Sequence, residues 1–230
     1  MKLLAIDTSQ EACSAAIQQD DELIYRESLA PREHTRLILP MVEELLMESG
    51  LKLRQLDALV FGCGPGSFTG LRIASGVIQG LALGADLPVI SVSSLAALAH
   101  GVYREKLSRR VLCAFDARIE EVYWGAYQLK EGVMTLVDVE AVISPQQTYM
   151  PESDGWIAAG SAWAAYPEMQ QRYQGKIKEV LSDRYPLARD CLPVAIDKYN
   201  KGELLSAEQA LPVYLRTKVA QTTEERNKKL

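Results

Sequence analysis

The sequence predicts an α/β protein of two similar lobes, in which the pattern βββαβα occurs twice. In each half, an apolar strand ends at an aspartate, Asp7 or Asp116, and two further strand-like runs follow. In the first half, a glycine-rich segment then joins an apolar strand to an apolar helix. The later part of the second half departs from the pattern, as expected for a duplicated fold whose second copy is degraded.

Composition and charge limit the classes of protein that fit. The 230 residues are enough for one large domain or two small ones. The net charge of −5 and the pI of about 5.2 exclude a global basic field that attracts nucleic acid. Four widely spaced cysteines indicate buried free thiols in a reducing compartment. Neither a signal peptide nor an apolar run of about 20 residues is present, so we expect a soluble, cytoplasmic protein with no membrane partner.

The first lobe begins with three short apolar runs between residues 3 and 29, separated by polar turns, which predict an antiparallel meander. A helix follows, because apolar residues recur with helical period on one broad face and Gly50 can end it. Pro40 lies within this pattern, so the helix either begins near Leu37 or bends at the proline. The apolar face consists of Leu37, Ile38, Met41, Val42, Leu45 and Leu46.

The stretch from Gly62 to Arg72 organises the rest of the chain. Four glycines and one proline lie within nine residues, so a turn is predicted here rather than the interior of a strand or helix. Such a turn can present backbone N–H groups to an anion, or it can let the next helix pack closely on the sheet. We favour the packing role, with Ser67 or Thr69 capping the helix.

The helix predicted from Leu71 to Leu83 is apolar on all sides, and Arg72 is its only charge. Such a helix must be covered all round, either within its own lobe or partly by another chain. Gly76 and Gly80 flatten one side of it. We therefore predict a partner surface that combines the apolar face of the first helix with this one. The second helix contributes Arg72, Ile73, Gly76, Val77 and Gly80.

A fifth strand over residues 87–92 and a short helix over residues 93–99 complete the first βββαβα pattern. The charged segment after this helix, residues 101–110, is predicted as an unstructured joint. The joint divides the chain into a first lobe, residues 1–103, and a smaller second lobe, residues 104–221.

The second lobe carries fewer clear signals after its first three strands. Residues 156–160 are predicted as a strand and residues 186–199 as a helix. Residues 212–216 form a short ordered segment near the end of the chain. The last residues, 222–230, are polar and are predicted to be a disordered tail.

Several motifs, spread from the first strand to the end of the second lobe, together resemble the bacterial TsaB (YeaZ) family. They are Leu4–Ser9, Arg32–Thr35 with Pro40, Gly64–Arg72, Asp116–Arg118 with Glu121–Tyr123, and Pro212–Arg216. The resemblance implies a two-lobed actin-like ATPase (ribonuclease H-like, ASKHA) fold. It also implies a role in making threonylcarbamoyladenosine beside the anticodon of tRNAs that read codons starting with A.

The resemblance further implies that a chain of this kind is not the catalyst. Its paralogue TsaD holds the metal and transfers the threonylcarbamoyl group, and the ATPase TsaE completes the assembly. We therefore expect a heterodimer with TsaD, recruitment of TsaE, and a homodimer when TsaD is absent. Contact with tRNA is expected only indirectly, through the complex.

The residues themselves agree with an inert copy. Ser94 and Leu98 stand where catalytic relatives carry two histidines that face one metal, and neither supplies an imidazole. No lysine follows the last glycine of the turn to meet β- and γ-phosphates. His34 and His100 are isolated, so no metal site is predicted.

Asp7 is the residue on which the cofactor question depends. In proteins of the actin-like ATPase class, a carboxylate at this turn holds a metal-bound phosphate, whereas an Asx turn would use it only to close the hairpin. The candidate nucleotide-binding residues are Asp7, Gly64, Gly66 and Ser67. We expect no catalytic residue and no cofactor held by the chain alone, with a nucleotide only at the interface shared with TsaD and TsaE.

Two other functions remain open at this point. The first is an ATPase or sugar-kinase-like enzyme that uses Asp7 and the glycine-rich turn. The second is a peptidase, an older label for the wider family. The sequence shows no Ser/His/Asp or Cys/His set at a helpful spacing, which disfavours the peptidase.

Overall fold

The computed structural model describes residues 1–152 and 154–216, and the predicted disorder of residues 222–230 lies outside them. The first sheet has the strand order β3-β2-β1-β4-β5. The strands β1 to β3 form the predicted antiparallel meander, and β4 and β5 continue parallel to β1. Its strands are β1 (Lys2–Asp7), β2 (Ala12–Gln19), β3 (Glu22–Leu29), β4 (Ala58–Gly64) and β5 (Val89–Ser93). The helices of this half are α1 (His34–Ser49), α2 (Phe68–Ala85) and α3 (Ser94–Lys106).

The second sheet repeats the order of the first. Its strands are β6 (Arg110–Arg118), β7 (Glu121–Lys130), β8 (Val133–Leu136), β9 (Ala141–Ile143), β10 (Trp156–Ala159) and β11 (Ile177–Leu181). The order β8-β7-β6-β10-β11 matches β3-β2-β1-β4-β5 strand for strand, with β9 paired to β7 outside this path. The predicted duplication is therefore confirmed.

The second copy is degraded in its helices rather than in its strands. Where the first lobe has α1, the second has only β9 and a single 3₁₀ turn. Where the first lobe has the 18-residue α2, the second has two short helices, α4 (Ala162–Ala165) and α5 (Pro167–Arg172). The last helix, α6 (Ala188–Asn200), closely matches the helix predicted over residues 186–199.

The two lobes exchange helices across the boundary that the sequence suggested. Helix α3 packs on the second sheet, where Leu95, Leu98 and Val102 join a core with Val111. Helix α6 packs on the first sheet through a core of small and aliphatic residues. The proposed boundary after residue 103 falls inside α3, so each lobe is completed by a helix from the other half of the chain.

Three predicted boundaries are corrected by the structure. The segment 101–110 is not an unstructured joint, because residues 101–106 continue α3. Helix α1 begins at His34 rather than near Leu37, and Pro40 lies inside it, as in the second of the two predicted alternatives. Of the glycine-rich stretch, residues 62–64 belong to β4 and residues 68–70 to α2, which leaves a turn of only three residues.

The turn in the glycine-rich stretch is shorter than predicted because glycines also occupy the end of β4 and the start of α2. Glycine weakens a strand or a helix end without forbidding it, and here close packing requires the missing side chains. Two smaller predictions are confirmed: Gly50 ends α1 at a left-handed φ of 66°, and Ser67 caps α2 by accepting a hydrogen bond from the Gly70 N–H. The four cysteines are free and buried, as expected.

Helix α2 also passes a test for membrane spans by length and composition. This is weak evidence for a span, because the core helix of a soluble protein passes the same test. Here Leu71, Ala74 and Ile78 are buried against neighbouring elements of the first lobe. No other helix within the described residues passes it.

Three residues of the predicted partner surface belong to the core instead. Ile38, Val42 and Leu45 of α1 are at most 2% exposed and pack against the first sheet. A side chain without exposed surface offers no contact area to a partner, so the structure removes these three from the predicted surface. The other members of the face, Leu37, Met41 and Leu46, are only partly buried.

We expect the substitution Leu45→Ala to destabilise the monomer. It removes a fully buried side chain and leaves a cavity, so the free energy of unfolding should fall by about 2–5 kcal/mol. Urea unfolding followed by circular dichroism measures this change. The matched control is Met47→Ala two residues later, because Met47 is 75% exposed and its loss should change stability by less than about 0.5 kcal/mol. Equal effects of the two substitutions would contradict the position of α1.

Candidate functional site

Asp7 lies at the end of β1 with no exposed surface. Its Oδ1 accepts hydrogen bonds from the Ser9 N–H at 2.9 Å and from the Ser9 hydroxyl at 2.8 Å. Its Oδ2 has no hydrogen-bond partner within the described part of the chain and lies 1.8 Å from where a Cβ on Gly62 would stand. The carboxylate therefore closes an Asx turn beneath Gly62 and does not face a ligand.

Burial changes the protonation of this group. Removal from water raises the pKa of Asp7 to about 7, against the opposing effect of the two hydrogen bonds from Ser9. A metal-bound phosphate needs an accessible, ionised carboxylate at this position. As placed here, Asp7 has no exposed surface through which it could contact such a phosphate.

The β1–β2 turn lies directly on the start of α2. The Ser67 N–H donates to the Ser9 carbonyl at 2.8 Å, and the Thr8 hydroxyl donates to the Gly70 carbonyl at 2.7 Å. A Cβ on Gly66 would lie 2.4 Å from the Ser9 oxygen, and one on Gly70 would lie 2.0 Å from the Thr8 oxygen. These glycines are thus required for close approach of the two turns, which supports the packing interpretation of the glycine-rich stretch.

A cleft of about 1030 Å³ separates the two lobes. One wall comes from the β1–β2 turn and the start of α2, and the opposite wall comes from the β6–β7 turn of the second lobe. Of the four candidate nucleotide-binding residues, the structure brings only Gly66 and Ser67 to the cleft lining. Asp7 is buried, and Gly64 is covered by the segment around Val213, since its Cβ position lies 2.8 Å from the Val213 carbonyl oxygen.

Residues 211–216 form a strap that joins the two lobes across the mouth of the cleft. On the first lobe, the Val213 N–H donates to the Cys63 carbonyl at 2.8 Å, and Tyr214 packs on Phe68 with ring centroids 5.6 Å apart. On the second lobe, the Arg216 guanidinium donates to the Arg118 carbonyl at 3.1 Å and to the Glu121 carboxylate. The strap thus brings together three motifs that are far apart in the sequence.

Arg72 connects the strap to α2. Its guanidinium carbon lies 3.8 Å from the centre of the Phe68 ring, and its Nε donates to the Tyr214 hydroxyl at 3.3 Å. This arrangement combines a cation–π contact with a hydrogen bond. Arg72 was predicted as a partner contact, and it is exposed, but it also contacts two residues of the cleft lining, Phe68 and Tyr214.

A buried carboxyl group that the sequence did not reveal lies between the lobes. Glu140 accepts hydrogen bonds from the hydroxyls of Ser93 and Tyr127, and burial raises its pKa. Ser93 also caps α3, with its Oγ accepting from Leu95 N–H at 3.1 Å. Glu140 lies between the apolar residues Val139 and Ala141, and nothing in the sequence marks it as a group between the lobes, so only the tertiary structure identifies it.

The residues that the sequence analysis weighed for a metal site, His100, Ser94 and Leu98, are all buried. His100 is buried, which lowers its pKa to about 4, and its Nε2 accepts from the Met134 N–H at 2.9 Å. Ser94 and Leu98 are buried on α3. Within residues 1–152 and 154–216, no group of three or more His, Cys, Asp or Glu side chains can hold a metal ion.

The exposed side of α2 differs from its cleft side. Ideal Cβ atoms on Gly76, Gly80 and Gly84 would meet nothing within 4 Å in the described part of the chain. The three glycines recur every four residues, so they form one open row along the helix. Ile73 and Val77 are partly buried between this row and the core, and Leu83 is 68% exposed beside it.

Two sheets of matching strand order, facing turns around a cleft and a helix from each half completing the other lobe define an actin-like ATPase (ribonuclease H-like, ASKHA) fold. Residues 27–226 match the family model described as "TsaD: tRNA N6-adenosine threonylcarbamoyltransferase". The chain is 44% identical over 224 residues to a tRNA threonylcarbamoyladenosine biosynthesis protein, TsaB, of Escherichia coli, with 96% of each covered.

Two further relatives agree. TsaB of Haemophilus influenzae is 40% identical over 229 residues, with 95% of each chain covered. The solved structure of YeaZ from Pseudomonas aeruginosa is 45% identical and superposes with a TM-score of 0.88, covering 93% of this chain and 99% of that one. The chain belongs to the TsaB (YeaZ) family.

We expect the buried Asp7 to make stability depend on pH. Its folded pKa, about 7, lies above the ordinary value of 3.8, so the unfolded chain loses its proton first as pH rises. Its contribution to stability is full below about pH 4 and is lost between about pH 4 and 7, by up to about 1.4 kcal/mol per pH unit. Urea unfolding of wild type and Asp7→Asn across this range measures it. In Asp7→Asn, the free energy of unfolding should lack the part of its pH dependence that comes from Asp7. The same pH dependence in wild type and variant would contradict a buried, protonated Asp7.

Proposed function

We propose that this chain is a non-catalytic subunit in the biosynthesis of threonylcarbamoyladenosine in tRNA. Near-complete alignment with relatives named for this pathway is the observation that carries the proposal. The sealed Asp7, and Ser94 and Leu98 in place of two imidazoles, support a role without chemistry of its own. The subunit would act in the cytoplasm by pairing with TsaD and recruiting TsaE. It would hold no cofactor alone, and a nucleotide is expected only at the surface shared with these partners.

The open glycine row of α2 supports a docking surface for the partner. A glycine inside a helix costs about 1 kcal/mol relative to alanine, and nothing in the described part of the chain requires it at Gly76, Gly80 or Gly84. Glycines at this spacing allow the backbone of another helix to approach closely. We therefore assign the row, together with Ile73 and Val77, to the proposed TsaD contact.

The neighbouring side of α1 extends this surface. Leu37, Met41 and Leu46 are partly buried against the first-lobe core and keep part of their surface exposed. A paralogue with the same fold offers a similar pair of helices, so the contact would be nearly self-complementary. The same surface would then form a homodimer when TsaD is absent.

We expect Gly80→Ala to act in opposite directions on stability and on association. In the free chain the new methyl group meets open space, so stability should rise by about 0.5–1 kcal/mol. In the heterodimer the methyl group should hold the partner helix away, and Kd for TsaD should rise about tenfold. Urea unfolding and isothermal titration calorimetry measure the two effects.

The control for this substitution is Gly70→Ala on the same helix, where the methyl group would strike the Thr8 carbonyl and should destabilise the chain.

Val77→Glu should abolish association while leaving the monomer folded, because an unpaired charge is costly in a buried contact. Leu45 is unsuitable for such a test, since it lies in the core. Unchanged TsaD binding by both Gly80→Ala and Val77→Glu would reject the surface.

The subunit role is tested by reconstitution with purified TsaD, TsaE and an unmodified tRNA transcript. We expect threonylcarbamoyladenosine, measured by mass spectrometry of the digested tRNA, only when this chain is present with both partners. The chain alone should neither modify tRNA nor turn over ATP. Steady ATP hydrolysis by the isolated chain, abolished by Asp7→Ala, would instead support the ATPase alternative.

A further inference from the structure

The far end of the second lobe carries a concave surface whose charge is opposite to that of the whole chain. A hollow of about 410 Å³ lies where α3 ends and where β6, β10 and β11 begin. Its lining contains four cations, Lys106, Arg109, Arg110 and Lys178, and one carboxylate, Asp154. Four positive charges and one negative charge give the lining a net charge of +3, against −5 for the chain.

Most of this positive charge is not paired with a carboxylate of residues 1–152 or 154–216. Lys106 pairs with Glu179 at 2.6 Å, but Arg110 donates to the backbone carbonyl of Asp154, at 2.7 Å, rather than to a carboxylate. Arg109 and Lys178 make no ion pair with any residue in 1–152 or 154–216. Three cations therefore face one hollow with their charge available to an anion.

The backbone around the hollow shapes it. Lys178 lies across Gly155, with its Cε 3.0 Å from where a Cβ would stand, so the glycine provides room for the lysine. On the opposite rim, Leu107 ends α3 at a left-handed φ of 53° and is 75% exposed. A non-glycine residue in this conformation is unusual, and here it turns the chain sharply into the segment that carries Arg109 and Arg110.

We propose that this hollow binds the phosphate backbone of the RNA substrate directly. The inference rests on the proposed function and deepens it, because it adds a direct RNA contact to the expected indirect one. Uncompensated cations around a concave surface suit phosphodiester oxygens. Of the residues described in the lining, none is aromatic, so the hollow contacts the backbone rather than stacking bases. Leu107 is its one large exposed apolar side chain, which disfavours a lipid surface.

The test compares two double charge reversals in the full chain bound to TsaD. The first is Arg109→Glu with Lys178→Glu, in the hollow. The control is Arg32→Glu with Lys52→Glu, an arginine and a lysine that are exposed on the first lobe. Each pair changes the net charge by −4, from −5 to −9, so the variants differ only in position.

Binding of a fluorescent, unmodified tRNA transcript is followed by anisotropy at several salt concentrations. We expect Kd to rise at least tenfold for the hollow variant and to change less than threefold for the control. The slope of log K against log salt should fall by roughly 1.5 for the hollow variant, as expected for the loss of two phosphate contacts. Wild-type affinity and slope in the hollow variant would overturn the proposal.

Two further measurements distinguish other occupants and the fate of the proposed function. Loss of TsaD binding in the hollow variant would assign the surface to a protein interface and reject the RNA contact. If the hollow variant binds phosphatidylserine vesicles more weakly than wild type does, while its tRNA binding is unchanged, the surface is assigned to a membrane and the RNA contact is rejected. If reconstituted modification requires the wild-type chain but is unaffected by the hollow variant, the proposed function stands and this inference fails.

Discussion

At the carboxyl end of β1, the central strand of the first sheet, the turn into β2 rests on the beginning of α2, with backbone atoms of Ser9 and Ser67 hydrogen-bonded at 2.8 Å. A methyl group at Gly66 or Gly70 would collide with the carbonyls of Ser9 or Thr8, so this approach exists only between glycines and bare backbone. Gly62 completes the arrangement by covering the Asp7 carboxylate. The same contact therefore packs helix on sheet and keeps the Asp7 carboxyl group buried.

The contact between the β1–β2 turn and α2 does not fill the cleft between the lobes. The strap, residues 211–216, connects the two walls of this cleft. Val213 is bonded to β4 beside Gly64, and Arg216 reaches the β6–β7 turn of the other lobe. Because α3 and α6 have also exchanged lobes, three segments of the chain cross between the halves. The halves are thereby joined by packing and by hydrogen bonds as well as by chain connectivity, and Glu140 adds a buried polar link near Ser93.

Much of this architecture follows from local pattern, and the remainder depends on contacts between distant residues. The short apolar runs of the strands, the helical period of α1 and the Ser67 cap are local, so the duplicated fold could be predicted. The length of α3 could not, because Gly101 looks like a breaker in sequence, yet it serves the approach of α6, where Asp190 Oδ2 lies 2.9 Å from its Cβ position. Likewise the broad face of α1 does not show that Leu45 lies inside while Met41 stays near the surface.

Helix α2 contains two kinds of glycine that sequence alone does not separate. Gly70 is constrained by a carbonyl oxygen of its own lobe, whereas Gly76, Gly80 and Gly84 meet nothing in the described part of the chain. Gly70 is needed for close packing within its own lobe. Gly76, Gly80 and Gly84 lower the stability of the helix, and no contact within the described residues compensates for that loss. Arg72 lies between the two sets, on the exposed side of the helix but bonded to the strap. A helix seated on the open row would therefore lie next to the residue that connects α2 to the mouth of the cleft.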